Sequence, residues 1–150
     1  MRRSTKILLG LVGLLVAIQL VPVSRTNPPV ESEPPAPPEV AALLRRACFD
    51  CHSHRTVWAV PQAYVAPFSW LVAHDVSEAR DAMNMSRWGA IGPEMLGKLS
   101  IDIPKEVERQ KEMPPGVYLL AHPEARLTDA ERTAIATWAR GLGRTAPASP

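Results

Sequence analysis

Two cysteines in 150 residues are too few for a disulfide scaffold. Aromatic residues make up only 5% of the chain, and the net charge is only +2. From Glu39 onward thirteen basic and thirteen acidic residues balance, so this region lacks the basic footprint of a nucleic-acid binder. No stretch alternates in the manner of a hairpin, and no segment repeats. What the chain has in excess is proline, sixteen in all, and one long apolar run near the amino terminus.

That run covers Ile7 to Val23, with Gln19 as its one polar residue, and follows Arg2, Arg3 and Lys6. It exceeds the apolar core of a usual signal peptide and reaches the lower bound for a membrane span. No small-x-small cleavage site follows, so residues 1–23 are expected to form an uncleaved signal anchor. A cleaved signal peptide is the alternative. The preceding positive charges orient the amino terminus to the cytoplasm. The rest of the chain is then expected across the membrane, in a bacterium the periplasm, as a single-pass protein of the inner membrane.

Residues 24–38 carry six prolines, at 28, 29, 34, 35, 37 and 38. Such a composition predicts a polyproline II spacer that holds a domain up to about 45 Å from the membrane. Residues 39–144 read as helical, and 145–150 as a flexible tail. Val40, Leu43, Leu44 and Ala47 form one apolar stripe in a helix from Glu39 to Ala47. Further helices are expected over Pro67–Asn84 and Pro104–Glu112. A fourth opens at the Thr128–Glu131 capping box and stops at Gly141.

The chemistry is concentrated in Cys48, Phe49, Asp50, Cys51 and His52, a C-x-x-C-H pattern. Two thiols at this spacing can form thioethers with one porphyrin edge, and the adjacent imidazole becomes the proximal iron ligand. By chance this composition would give the pattern about once in 3,000 shuffles. A thioredoxin-like dithiol would need a preceding strand, and a zinc site would need two further well-spaced ligands. A simple Cys48–Cys51 disulfide is the remaining alternative.

The stretch C-F-D-C-H-S with Thr56 and Trp58 is followed by A-P-F-S-W-L-V-A-H-D-V-S-E-A-R at 66–80. Then come N-M-S-R-W at 84–88, M-P-P-G-V-Y-L-L-A-H-P-E-A-R-L-T at 113–128, and Trp138. Together they make the chain similar to the small bacterial haem-binding domain family of cytochrome c-like proteins over about residues 40–142. The resemblance implies an all-α domain around one haem c, attached at Cys48 and Cys51 and ligated by His52.

The distal ligand decides between two functions. Candidates are Met83, Met85, Met95, Met113, His54, His74 and His122. Met113 is favoured, because Pro114 and Pro115 force it out of helix and stiffen its loop ahead of the last helix. His54 reads as a hydrogen-bonding residue, His74 and His122 as structural, and Met83 as core. Met113 ligation would make the protein a one-electron carrier serving a redox partner protein, with no enzymatic residue. An open sixth position would instead make it a gas sensor or weak peroxidase. Arg55, Arg80 and Arg87 could reach haem propionates, although solvated surface positions suit them better. The eight aromatic residues are expected as core or haem-crevice wall.

Overall fold

The computed structural model describes residues 2–144, so the expected tail at 145–150 lies outside the described residues. The described residues form seven α-helices and no strand. They are α1 (Arg3–Ile18), α2 (Pro38–Ala47), α3 (Phe49–His52), α4 (Phe68–Ala82), α5 (Pro93–Pro104), α6 (Gly116–Ala121) and α7 (Asp129–Arg140). The all-helical reading stands.

α7 is the hub. Thr128 caps it: its hydroxyl accepts from the Glu131 amide, and the Glu131 carboxylate accepts from the Thr128 amide in return. Ile135, Ala136 and Ala139 are fully buried, and α7 packs chiefly against α5, with α2 on another side. α2 starts on Pro38, whose missing N–H costs nothing in the first turn. Its stripe turns inward as expected, with Val40, Leu44 and Ala47 buried and Leu43 partly so. Leu99, Ile103, Val107 and Met85 complete the interior, and Trp88 lies 5.8 Å from Trp138 between ring centres.

The middle of the chain departs from expectation. The helix placed over Pro104–Glu112 is instead α5, ending at Pro104, followed by one π-helical turn over Lys105–Arg109. Pro93 sits in the first turn of α5, where proline is tolerated. Leu96, Leu99 and Ile103 form its inward stripe.

The amino-terminal run also differs. α1 has sixteen residues, about 24 Å of helix against a hydrocarbon core of about 30 Å. Among the described residues no helix is long and apolar enough to cross a membrane. The physical reason is Pro22, which lacks an N–H and would clash with the carbonyl of Ile18, the last residue of α1. None of α1 is buried, and Leu8, Leu14 and Val16 are about 60% exposed. Beyond it, Gln19 donates to the Ala66 carbonyl and accepts from the Ala66 amide, bringing the end of α1 to the start of α4.

The proline-rich stretch is a strap rather than a stand-off spacer. The Ser86 carbonyl accepts from the amides of Glu31 and Ser32, and the Ser32 carbonyl accepts from the Trp88 amide. Ser32 and Arg87 form an isolated bridge. Further along, the Trp138 indole donates to the Pro35 carbonyl at 3.1 Å. Six prolines do favour an extended backbone, but here its carbonyls find donors on the helical body.

Candidate haem site

Cys48 closes α2 and opens α3, so the single turn of α3 carries Cys51 one turn beyond Cys48 and His52 next to it. Both thiols are free and partly buried. Burial first, and then the neighbouring Cys51, pushes the Cys48 thiol up to about 12. Burial also raises Cys51 to about 11, with Asp50 and Asp75 adding to the rise and Arg80 opposing it. Among the described residues no group of three or more His, Cys, Asp or Glu side chains is arranged to hold a metal ion.

His52 packs against α4. Its Nδ1–H donates to the Ala79 carbonyl at 2.8 Å, with the Met83 carbonyl at 3.3 Å. Burial lowers the imidazole pKa, and the two carbonyls partly offset that. A neutral ring with Nδ1 protonated carries its lone pair on Nε2, the form in which histidine ligates iron. This hydrogen bond fixes the tautomer and ring plane of the imidazole.

Several hydrogen bonds hold the turn after His52. Ser53, fully buried, donates to the Phe49 carbonyl at 2.6 Å and accepts from the Arg55 amide. Thr56 donates to the Asp50 carbonyl at 2.6 Å. The Asp50 carboxylate accepts from the Val57 amide at 2.7 Å and from the Tyr118 hydroxyl at 3.2 Å. His54 is a structural residue, as expected: Nδ1 donates to the Pro29 carbonyl at 3.0 Å, and Nε2 accepts from Asn84 at 2.9 Å. Asn84 and Ser86 thus explain the N-M-S-R-W stretch, since Ser86 also accepts from the His54 amide.

The Tyr118–Asp50 bond brings α6 beside α3. Val117 and Leu120, on either side of Tyr118, are 64% and 80% exposed. Tyr118 stacks on His122 with ring centres 4.0 Å apart. A groove of about 460 Å³ opens here, lined by Phe49, Asp50, Val57, Tyr118 and His122 among others, with Arg45, Arg46 and Arg55 also contributing. Cys48, Cys51 and His52 do not line this groove, although Phe49 and Asp50 between them do; two free thiols and an imidazole whose Nδ1 is engaged by carbonyls are the donor set that haem requires.

The other sequence candidates separate clearly. The Met83 carbonyl lies on the Nδ1 side of His52, and Met85 is 1% exposed within the core. Met95 lines a different groove with Arg80, Met83 and Asn84. His74 is exposed, and His122 is committed to Tyr118, whose carbonyl accepts from its Nδ1 at 3.2 Å. Met113 does not line the groove beside α3: its side chain is exposed, and its carbonyl accepts from Arg132 at 2.7 Å. Arg55 pairs with Glu33 and Arg87 with Glu31, while Arg80 bonds backbone and polar groups. Phe49 and Trp88 are buried, whereas Tyr64 and Phe68 are exposed. Arg132 and the bond between Tyr118 and Asp50 were not anticipated from the sequence; that pair spans 68 residues and leaves no local signal.

No curated protein and no solved structure matches the chain. The family model described as a haem-binding domain matches residues 13–141, most of the chain including the strap, and the protein belongs to that haem-binding domain family.

Proposed function

We propose that this protein is a c-type cytochrome that carries one electron at a time, with thioethers at Cys48 and Cys51, His52 as proximal ligand and Met113 as distal ligand. The observation that carries this reading is the His52 Nδ1–H bond to Ala79, which leaves Nε2 free beside two unpaired thiols. Haem supplies the redox chemistry; the chain supplies axial ligands, burial and an exposed edge for a partner protein. Elimination supports Met113, since Met83 and Met85 are held behind the imidazole or in the core.

The same reading puts the domain outside the cytoplasmic membrane. Arg2, Arg3 and Lys6 mark the start of α1, whose apolar remainder has no buried residue and is suited to lipid or to an export channel. Leu20, Val21 and Val23 continue the apolar surface past the helix end. Protease added from the outer side should degrade residues 24–144, and amino-terminal sequencing distinguishes a retained segment from a removed one.

Partial exposure of Met113 favours a second reading, a five-coordinate haem that binds a small gas or peroxide. Spectra of the purified protein in both oxidation states decide. Low-spin bands with haem retained through denaturation and acid extraction support the carrier. Extractable haem overturns covalent attachment, and a high-spin ferrous form that takes up carbon monoxide promotes the sensor.

A further inference from the structure

The strap and the ligand turn meet at one side chain. Arg80 on α4 reaches four acceptors. Its Nε donates to the Ser53 carbonyl at 2.9 Å, Nη1 to the Thr26 carbonyl at 2.9 Å, and Nη2 to Asn27 Oδ1 at 3.0 Å and to Thr56 Oγ1 at 2.9 Å. Ser53 directly follows His52, and Arg80 directly follows Ala79, whose carbonyl receives the imidazole proton. The two helices are therefore fastened twice, once by the ligand's ring to the backbone of α4 and once by a side chain of α4 to the backbone behind the ligand. Asn27 closes the arrangement: its Nδ2 donates to the Thr56 carbonyl at 2.8 Å, and its Oδ1 also accepts from the Trp58 indole at 3.2 Å.

We infer that Arg80 is a positioning residue for the haem ligand His52, and that through Arg80 and Asn27 the strap is a working part of the haem site. A guanidinium is suited to this because its planar fork presents five donors at fixed angles. An ammonium keeps the charge but cannot span acceptors on the ligand turn, on Thr56 and on two strap residues together. Loosening this junction lets α3 shift against the Ala79 carbonyl and admits water to the ligand, and a wetter site favours ferric iron. The inference rests on His52 as iron ligand.

The test uses the full-length holoprotein and reads midpoint potential alongside melting temperature. Arg80→Ala is expected to shift the potential downward. Arg80→Lys is expected to stay shifted, because charge without the fork does not restore the geometry. Asn27→Ala, which leaves the cation in place and remains informative if Arg80→Ala fails to fold, is expected to shift it downward by less. The double variant should fall short of the sum, since both act at one junction. An unchanged potential in Arg80→Ala or Asn27→Ala with lowered melting temperature would make the junction merely structural and overturn the proposal. Full recovery by Arg80→Lys would reduce Arg80 to a point charge and equally overturn it. His52→Ala separates the two readings. If it leaves the haem spectrum unaltered, the ligand assignment fails and this proposal with it; if it alters the spectrum while Arg80→Ala leaves the potential unchanged, the proposal alone fails.

Discussion

The Nδ1 atom of His52 lies 2.8 Å from the carbonyl oxygen of Ala79, 27 residues further along the chain. That carbonyl already accepts from the Met83 amide, the bond that closes α4. A carbonyl oxygen has two lone pairs, and the imidazole takes the second. Burial favours the neutral ring against the opposing pull of the two carbonyls, and its Nε2 faces away from α4.

Met113→Ala is expected to convert a low-spin haem into a high-spin or water-ligated one, to lower its potential, and to admit carbon monoxide in the ferrous state. A thioether ligand favours ferrous iron and occupies the position an exogenous ligand needs. Haem should stay attached, because the thioethers proposed at Cys48 and Cys51 do not involve the Met113 loop. Visible spectra before and after reduction under carbon monoxide check this, and an unmutated protein already high-spin would contradict it.

The apoprotein thiols should be poor nucleophiles. Cys48 at about 12 and Cys51 at about 11 both exceed the ordinary thiol value of 9.0, so folding favours the protonated form. The associated stability is intact below pH 9 and is lost as pH rises through the raised values. Iodoacetamide should label the folded apoprotein at pH 8 about 10-fold or more slowly than a free cysteine peptide. The apoprotein's melting temperature should fall between pH 9 and pH 11. Labelling at the free-peptide rate would show that the thiols are not shielded.

Thr128→Ala removes the hydroxyl that accepts from the Glu131 amide at the start of α7. The expected cost is about 0.5–2 kcal/mol, read as a lower midpoint in chemical denaturation. Because α7 is the hub of the core, the loss should appear in the global transition. Local fraying alone, with an unchanged midpoint, would show that α7 is held without its cap.

His54→Ala removes the donor to Pro29 and leaves the Asn84 amide without its acceptor. An unmet buried polar group costs about 1–3 kcal/mol. Amide exchange locates the effect: the Glu31 and Ser32 amides, bonded to Ser86, should lose protection while those of Ile135 and Ala136 keep theirs. Equal protection throughout would mean that the strap holds without His54.

The features legible in the sequence are those set by near neighbours. The Val40–Leu44–Ala47 stripe, the Thr128–Glu131 cap and the two cysteines ahead of His52 all act within two helical turns. α5 was hidden because Gly97 and the flanking Pro93 and Pro104 resemble loop punctuation, although a first-turn proline and a terminal one leave the helix between them intact. The strap was hidden for another reason. Its prolines state its local conformation correctly, but the donors to its Thr26, Pro29, Ser32 and Pro35 carbonyls are Arg80, His54, Trp88 and Trp138, each at least 25 residues away. Local composition holds no record of such partners. Tyr118 beside Asp50 was illegible on the same ground.

The hydrogen bond from Trp138 to Pro35 joins positions 103 residues apart. A ribosome or an export channel delivers the chain amino end first, so Pro35 and the C-x-x-C-H turn emerge long before Trp138. Until α7 arrives, the Pro35 carbonyl lacks this donor, while Glu33 can already pair with Arg45 and Arg55. The order of emergence therefore leaves an interval in which the two thiols are present and the Pro35 contact is still open, and that contact closes only after Trp138 has emerged.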